Sequence, residues 1–207
     1  MKTIRPLIVW LSLLIFSSSF GQSIMQLGPN YYTAGIPSDE FEFYAATEQQ
    51  GRQRQSNWCL AFCVQMVLNY HGLYITQEEI VQKIYGQLID QPAGPQQLMY
   101  ALSGWAPNSM GGFSQIYCEG NLTGINDITL NLAYKWPLIV GLGNPEGGTG
   151  HAYVLTAIYY TTDYYNNTVP EKVVLRDPWP ENPSRQEMSW NEFSNRLQMA
   201  FKVWVSR

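Results

Sequence analysis

The apolar residues of this chain recur with two different periods, and the change between them limits the fold more than any other feature. In the first half the spacing is helical. Phe62, Cys63, Met66, Val67 and Tyr70 fall on one face of a segment that starts at Cys59 and stops at Gly72. Thr76 and Glu79 form a capping-box pair ahead of "EEIVQKIYG", and "GPQQLMYALSGW" follows with Pro95 in its first turn. Beyond that point "GGFSQIY", "LIVGLG", "HAYVLTAIYY", "KVVLRDP" and "FKVWV" read as strands, with "DYYNNTVPE" as a hairpin-like loop. Two helices interleave with them: "NDITLNLAYKW", ended by Pro137, and a short one opened by Ser189 and Glu192. Helices first and strands afterwards predict an α+β fold, a helical half packed against a small antiparallel sheet. No internal repeat or linker divides it, so one domain is expected over residues 53–207.

The first 21 residues read differently. Lys2 and Arg5 precede the apolar run "PLIVWLSLLIF", and Ser19 and Gly21 are small residues at cleavage positions. This is the pattern of a secretory signal peptide cut after Gly21; the competing reading is an N-terminal membrane anchor. A secreted or periplasmic protein with no stable membrane insertion after cleavage is expected. Residues 22–52 show no clean period and read as an arm lying over the surface. Setting aside Lys2 and Arg5 leaves 10 basic against 16 acidic residues, a net charge of −6. With no basic stripe, nucleic acid is excluded as a partner class.

An exported chain meets an oxidising compartment, where thiols pair and a leftover one needs a reason. There are three cysteines: Cys59, Cys63 and Cys118. One partition joins Cys63 to Cys118 and leaves Cys59 free; the other leaves all three free and buried. A metal set is not expected, because two histidines and a single CxxxC fall short of a structural zinc site, and no cofactor is implied. Cys59 stands where the polar loop "QRQSN" turns into an apolar helix. Unpaired N–H groups and the partial positive charge of a helix start favour a thiolate there, and the thiolate is the nucleophile.

A thiolate of this kind needs a base. His71 lies at the far end of the same helix, roughly 18 Å away at 1.5 Å per residue, and cannot reach. His151 opens a strand after the glycine-rich "GNPEGGTG", where Gly150 lets a substrate backbone come close. Asp177 ends a later strand expected to pair with that of His151 and offers an acceptor to orient the imidazole. Trp179 follows it as a roof over the pair. Gln53, six residues before Cys59, offers an amide to an oxyanion, with Gln55 as the fallback.

Together these features resemble the papain-like cysteine peptidases, and within them the compact bacterial branch of AvrRpt2-like and C39-like peptidases. "SNWCLAFCVQMVLNYHG" is similar to the nucleophile helix of that branch, and "HAYVLTAI…VVLRDPWP" to its histidine strand and Asp-Pro segment. The resemblance covers roughly Gln53 to Pro180. It implies Cys59 as nucleophile, His151 as base, Asp177 as its orienter and Gln53 as oxyanion donor, in a thiol peptidase acting on peptides or proteins. Leu60-Ala61-Phe62 departs from the pattern, which has an aromatic and small residues there, and no large pro-segment precedes the domain. The same residues would serve amide transfer or crosslinking, as in transglutaminase-like enzymes. A papain-like fold that binds a partner without reacting is the third reading.

Overall fold

Helical periodicity and strand alternation resolve into fifteen elements in the computed structural model, which describes residues 23–45, 52–122, 124–147 and 150–206. The expected signal peptide lies outside the described residues. In chain order the elements are β1 (Ile24–Gly28), β2 (Tyr31–Gly35), α1 (Ser38–Ala45), α2 (Cys59–Tyr70), α3 (Gln77–Tyr85) and α4 (Pro95–Ala101). There follow β3 (Gly104–Pro107), β4 (Phe113–Gly120), α5 (Ile125–Ala133), β5 (Leu138–Leu142) and β6 (His151–Thr162). The chain continues through β7 (Thr168–Arg176), β8 (Arg185–Ser189), α6 (Trp190–Arg196) and β9 (Leu197–Val205).

The helix boundaries follow from local chemistry. Thr76 and Glu79 cap α3 reciprocally: the Thr76 hydroxyl accepts from the Glu79 N–H at 3.2 Å, and the Glu79 carboxylate accepts from the Thr76 N–H at 2.8 Å. Gly86, at φ 72°, ends α3 in the left-handed conformation that glycine adopts without strain. By contrast, α2 has no side-chain cap and is apolar nearly all round, with every residue from Leu60 to Leu68 buried. It is therefore the central helix.

All strand pairings are antiparallel, in the order β1-β2-β6-β5-β9-β4-β3, with β7 on the other edge of β6 and β8 beside β7. The long strand β6 thus organises the sheet. On one edge β5 pairs with residues 151–155 and β2 with residues 157–161. Gly35 marks the changeover, and a Cβ there would lie 2.3 Å from the Thr156 carbonyl oxygen. One face of the sheet packs Ile139, Val154, Phe201 and Val203 against Phe62, Met66 and Leu68 of α2. The other packs Leu138, Val140, Leu155 and Val173 against Ile128 and Leu132 of α5 and Phe193 of α6. Burial from both sides explains why "LIVGL" is apolar throughout.

The α+β class holds, with a sheet larger than expected. Of the segment 22–52 expected as a surface arm, residues 23–45 are instead built into the fold: β2 is hydrogen-bonded to β6, and α1 buries Phe41 and Ala45. The strands β1, β3 and β8 are additions as well. Among the described residues, no helix is long and apolar enough to cross a membrane.

The Cys63–Cys118 bridge is corrected: Cys59, Cys63 and Cys118 are all free thiols. Cys63 sits on α2, which packs over β6 and β5, whereas Cys118 is on β4, beyond β9. Two to three strand spacings separate them, about 10–14 Å, too far for a disulfide. Protein denatured without reductant should therefore take up one iodoacetamide at each of the three cysteines. An additional uptake after reduction, read by intact mass, would restore the bridge.

Candidate active site

Position 59 is the first residue of α2, and the loop before it is held from outside the helix. The Trp58 indole N–H donates to the Ile89 carbonyl at 2.8 Å, and the Asn57 N–H donates to the Asp90 carboxylate at 2.8 Å. Asp90 also accepts the Ser56 hydroxyl, an anchor that its sequence surroundings did not reveal. The sheet supplies the partners. Because β6 and β7 run antiparallel with Val154 opposite Arg176, His151 and Asp177 emerge at the same end. Since α2 packs on β6, its N-terminus comes to that end too.

The three side chains gather at this one end of the sheet. His151 Nε2 lies 2.9 Å from Asp177 Oδ1, with the His151 side chain about a quarter exposed and that of Asp177 fully buried. Cys59 lines the same cleft as the ring, close enough for the thiol and imidazole to act on each other. With Nε2 engaged by Asp177, Nδ1 is the nitrogen left to exchange a proton with another group. The Tyr153 ring stands edge-on to the imidazole, with centroids 4.7 Å apart.

Burial alone would push the Cys59 thiol up. The pull of His151, the N–H groups of Ala152 and Leu60 and the imidazolium charge together outweigh it, and the thiol sits below its ordinary value. Burial alone would lower His151, but its hydrogen bonds to Asp177 and Cys59, with their negative charges, raise it to about 9. Cys63, one turn along α2, goes the other way: burial and then the charges of Cys59 and Asp177 push its thiol well up. The two cysteines of the CxxxC therefore have opposite characters. Asp177 stays below the usual carboxylate range. Its burial is opposed by His151 and then by the Trp179 N–H at 2.8 Å and the Asn182 amide at 2.7 Å. Gln186 adds a fourth donor at 2.6 Å.

Two expected site residues fall elsewhere. Gln53 is buried, but its amide nitrogen donates to the carbonyls of Gln55 and Ser56 at 2.7 and 2.8 Å, while its Oε1 is buried without a partner. Both amide hydrogens thus fold the loop ahead of Cys59, and neither is directed at a substrate. The fallback, Gln55, is exposed and provides its carbonyl to that same loop. Trp179 acts through its backbone N–H on Asp177 and is not among the residues that line the cleft.

That cleft, about 390 Å³, opens beside Cys59 and His151. Asn57, Pro92 and Pro95 line the helical side, and Leu142, Gln198 and Met199 the sheet side. Apart from His151, no lining residue carries an ionisable side chain other than Cys59 itself. Gly150 lines it as expected, and a Cβ there would lie 2.6 Å from the Leu142 carbonyl oxygen. Among the described residues no group of three or more His, Cys, Asp and Glu side chains gathers as a metal set.

Residues 41–204 match the profile of the Peptidase_C39 like family. The chain belongs to this family of cysteine peptidases. Among solved structures, it is similar to the peptidase domain of Streptococcus ComA, a bi-functional ABC transporter involved in a quorum sensing pathway. The TM-score is 0.50 at 15% identity, covering 74% of this chain and 95% of that domain, a likeness of fold. No curated protein matches the sequence. The C39-like match begins inside α1, so β1 and β2 extend this member's sheet beyond the matched span.

Gly150→Ala tests how closely the cleft floor is tied to the site. The new methyl meets backbone that cannot swing aside, so a stability loss of about 1–3 kcal/mol is expected, together with slower alkylation of Cys59. A denaturant melt identical to that of the parent protein would show that the strand start has room to spare.

Proposed function

We propose that this protein is an exported thiol peptidase that hydrolyses peptide bonds in peptide or protein substrates. The observation that carries the reading is that Cys59, at a helix N-terminus, shares a cleft with His151, whose ring is held 2.9 Å from Asp177. In this mechanism the Cys59 thiolate attacks the scissile carbonyl, and carbon–sulfur bond formation moves charge onto the oxygen. The Cys59 N–H, at a helix start where no carbonyl precedes it by one turn, is placed to stabilise that charge. Gln53 shapes the loop that presents this N–H. Nδ1 of His151 then delivers its proton to the leaving amine, which departs as the carbon–nitrogen bond breaks. The same nitrogen takes a proton from the water that releases the acyl group. Asp177 remains ionised throughout and holds the ring in place.

Residues 1–21 act as the export signal in this reading, and the exported protein should begin at Gln22 by intact mass.

The nucleophile assignment predicts that Cys59→Ala removes peptide hydrolysis and thiol labelling at the site while leaving the melting temperature within about 2–4 °C. Retained hydrolysis of an unfolded protein substrate by that variant would end the proposal.

The pH dependence has a worked-out sign. The reactive pair exists above the depressed Cys59 pKa and below the His151 value of about 9. Turnover should therefore rise at pH values where an ordinary thiol is still protonated, and fall as pH passes about 9. A kcat/KM profile that climbs only through the range of a free thiol would contradict this.

A further inference from the structure

Asp177 is enclosed by donors that its strand does not supply. One oxygen accepts from His151 and from the Trp179 N–H, and the other accepts from Asn182 at 2.7 Å and Gln186 at 2.6 Å. A carboxylate offers about four acceptor positions, and here all are engaged with no exposure of the side chain to water. A proton on this group would have to displace a donor. We infer that Gln186 and Asn182 are positioning residues that hold the shared proton on His151 by occupying the far oxygen of Asp177, and so maintain the Cys59–His151 pair. This rests on the thiolate–imidazolium reading of the site.

The choice of amides supports the inference. A neutral donor satisfies the oxygen and leaves its negative charge to act on the imidazole, whereas a cation would cancel it. The nearby cations are directed elsewhere. Arg52 donates to the main-chain carbonyls of Asp177, Pro180 and Asn182, which fixes the loop carrying Asn182. Arg176 is matched by Glu42 of α1. Gln186 is placed by β8, opposite Leu175 of β7. The remaining ionisable groups around Asp177 are His151 and Tyr153 of β6 and Cys59 and Cys63 of α2, with Arg185 near Arg176.

The test follows iodoacetamide alkylation of Cys59 against pH in the full-length folded protein. Gln186→Met and Asn182→Leu keep approximate volume and remove the donors. Each should move the midpoint of alkylation upward by about one pH unit, a tenfold loss of rate on the acid side. Gln186→Glu is the conservative rescue: two buried carboxyls in contact share a proton, so a donor to Asp177 is retained and the midpoint returns toward that of the parent. Variants that are folded by thermal melt yet keep the parental midpoint, even at reduced rate, overturn the inference. So does a Gln186→Glu midpoint displaced as far as that of Gln186→Met. If the parent protein itself titrates like a free thiol, the peptidase reading fails and takes this inference with it.

Discussion

The carboxylate of Asp177 is removed from water, and an anion in that position must be met by hydrogen-bond donors or become neutral. Its donors come from β6, from the turn at Trp179, from the loop at Asn182 and from β8. The loop itself is held from two further directions. Arg52 grips its carbonyls, and Glu42 accepts both from Arg176 before it and from Ser184 after it. Parts of the chain far apart in sequence therefore converge to keep one negative charge buried. The imidazole polarity, and through it the state of the sulfur, follows from that convergence.

A rigid frame makes the convergence reproducible. The sheet is packed on both faces, so β6 cannot tilt without disturbing two cores. His151 is its first residue and Cys59 is the first residue of the helix resting on it. Chemistry is thus mounted on the ends of regular elements, where backbone groups are unpaired and the packing behind them is dense. The cleft beside them, by contrast, is walled in part by loop residues such as Pro92 and Ala93.

The parts readable in sequence are those whose signal is local. The limits of α2 and α3 follow from an apolar stripe and a capping box, both set within a few residues. Cys59, His151 and Asp177 stood out because a chain with two histidines offers few bases, and each sits beside a recognisable boundary. Signals that depend on distant partners were not readable. In β8, "RQEMS" has one buried residue, and β1 is largely exposed, so neither shows an alternation strong enough to declare a strand. Asn182 and Gln186 are ordinary polar residues until Asp177 is placed between them. Gln53 was misread for the same reason: the spacing to Cys59 is local, but the direction of its amide depends on where the Gln55 and Ser56 carbonyls turn. The disulfide expectation rested on compartment alone, which says nothing about how many strands separate two thiols.

The place of β9 has a consequence for assembly. This strand comes last in chain order yet lies between β5 and β4 in the interior of the sheet. β2 likewise waits for β6, more than a hundred residues later, before its hydrogen bonds can form. Such long-range closure makes folding slow, and the two halves of the sheet cannot be knit together until β9 is in place. The strand that completes the sheet is therefore also the last one the chain supplies.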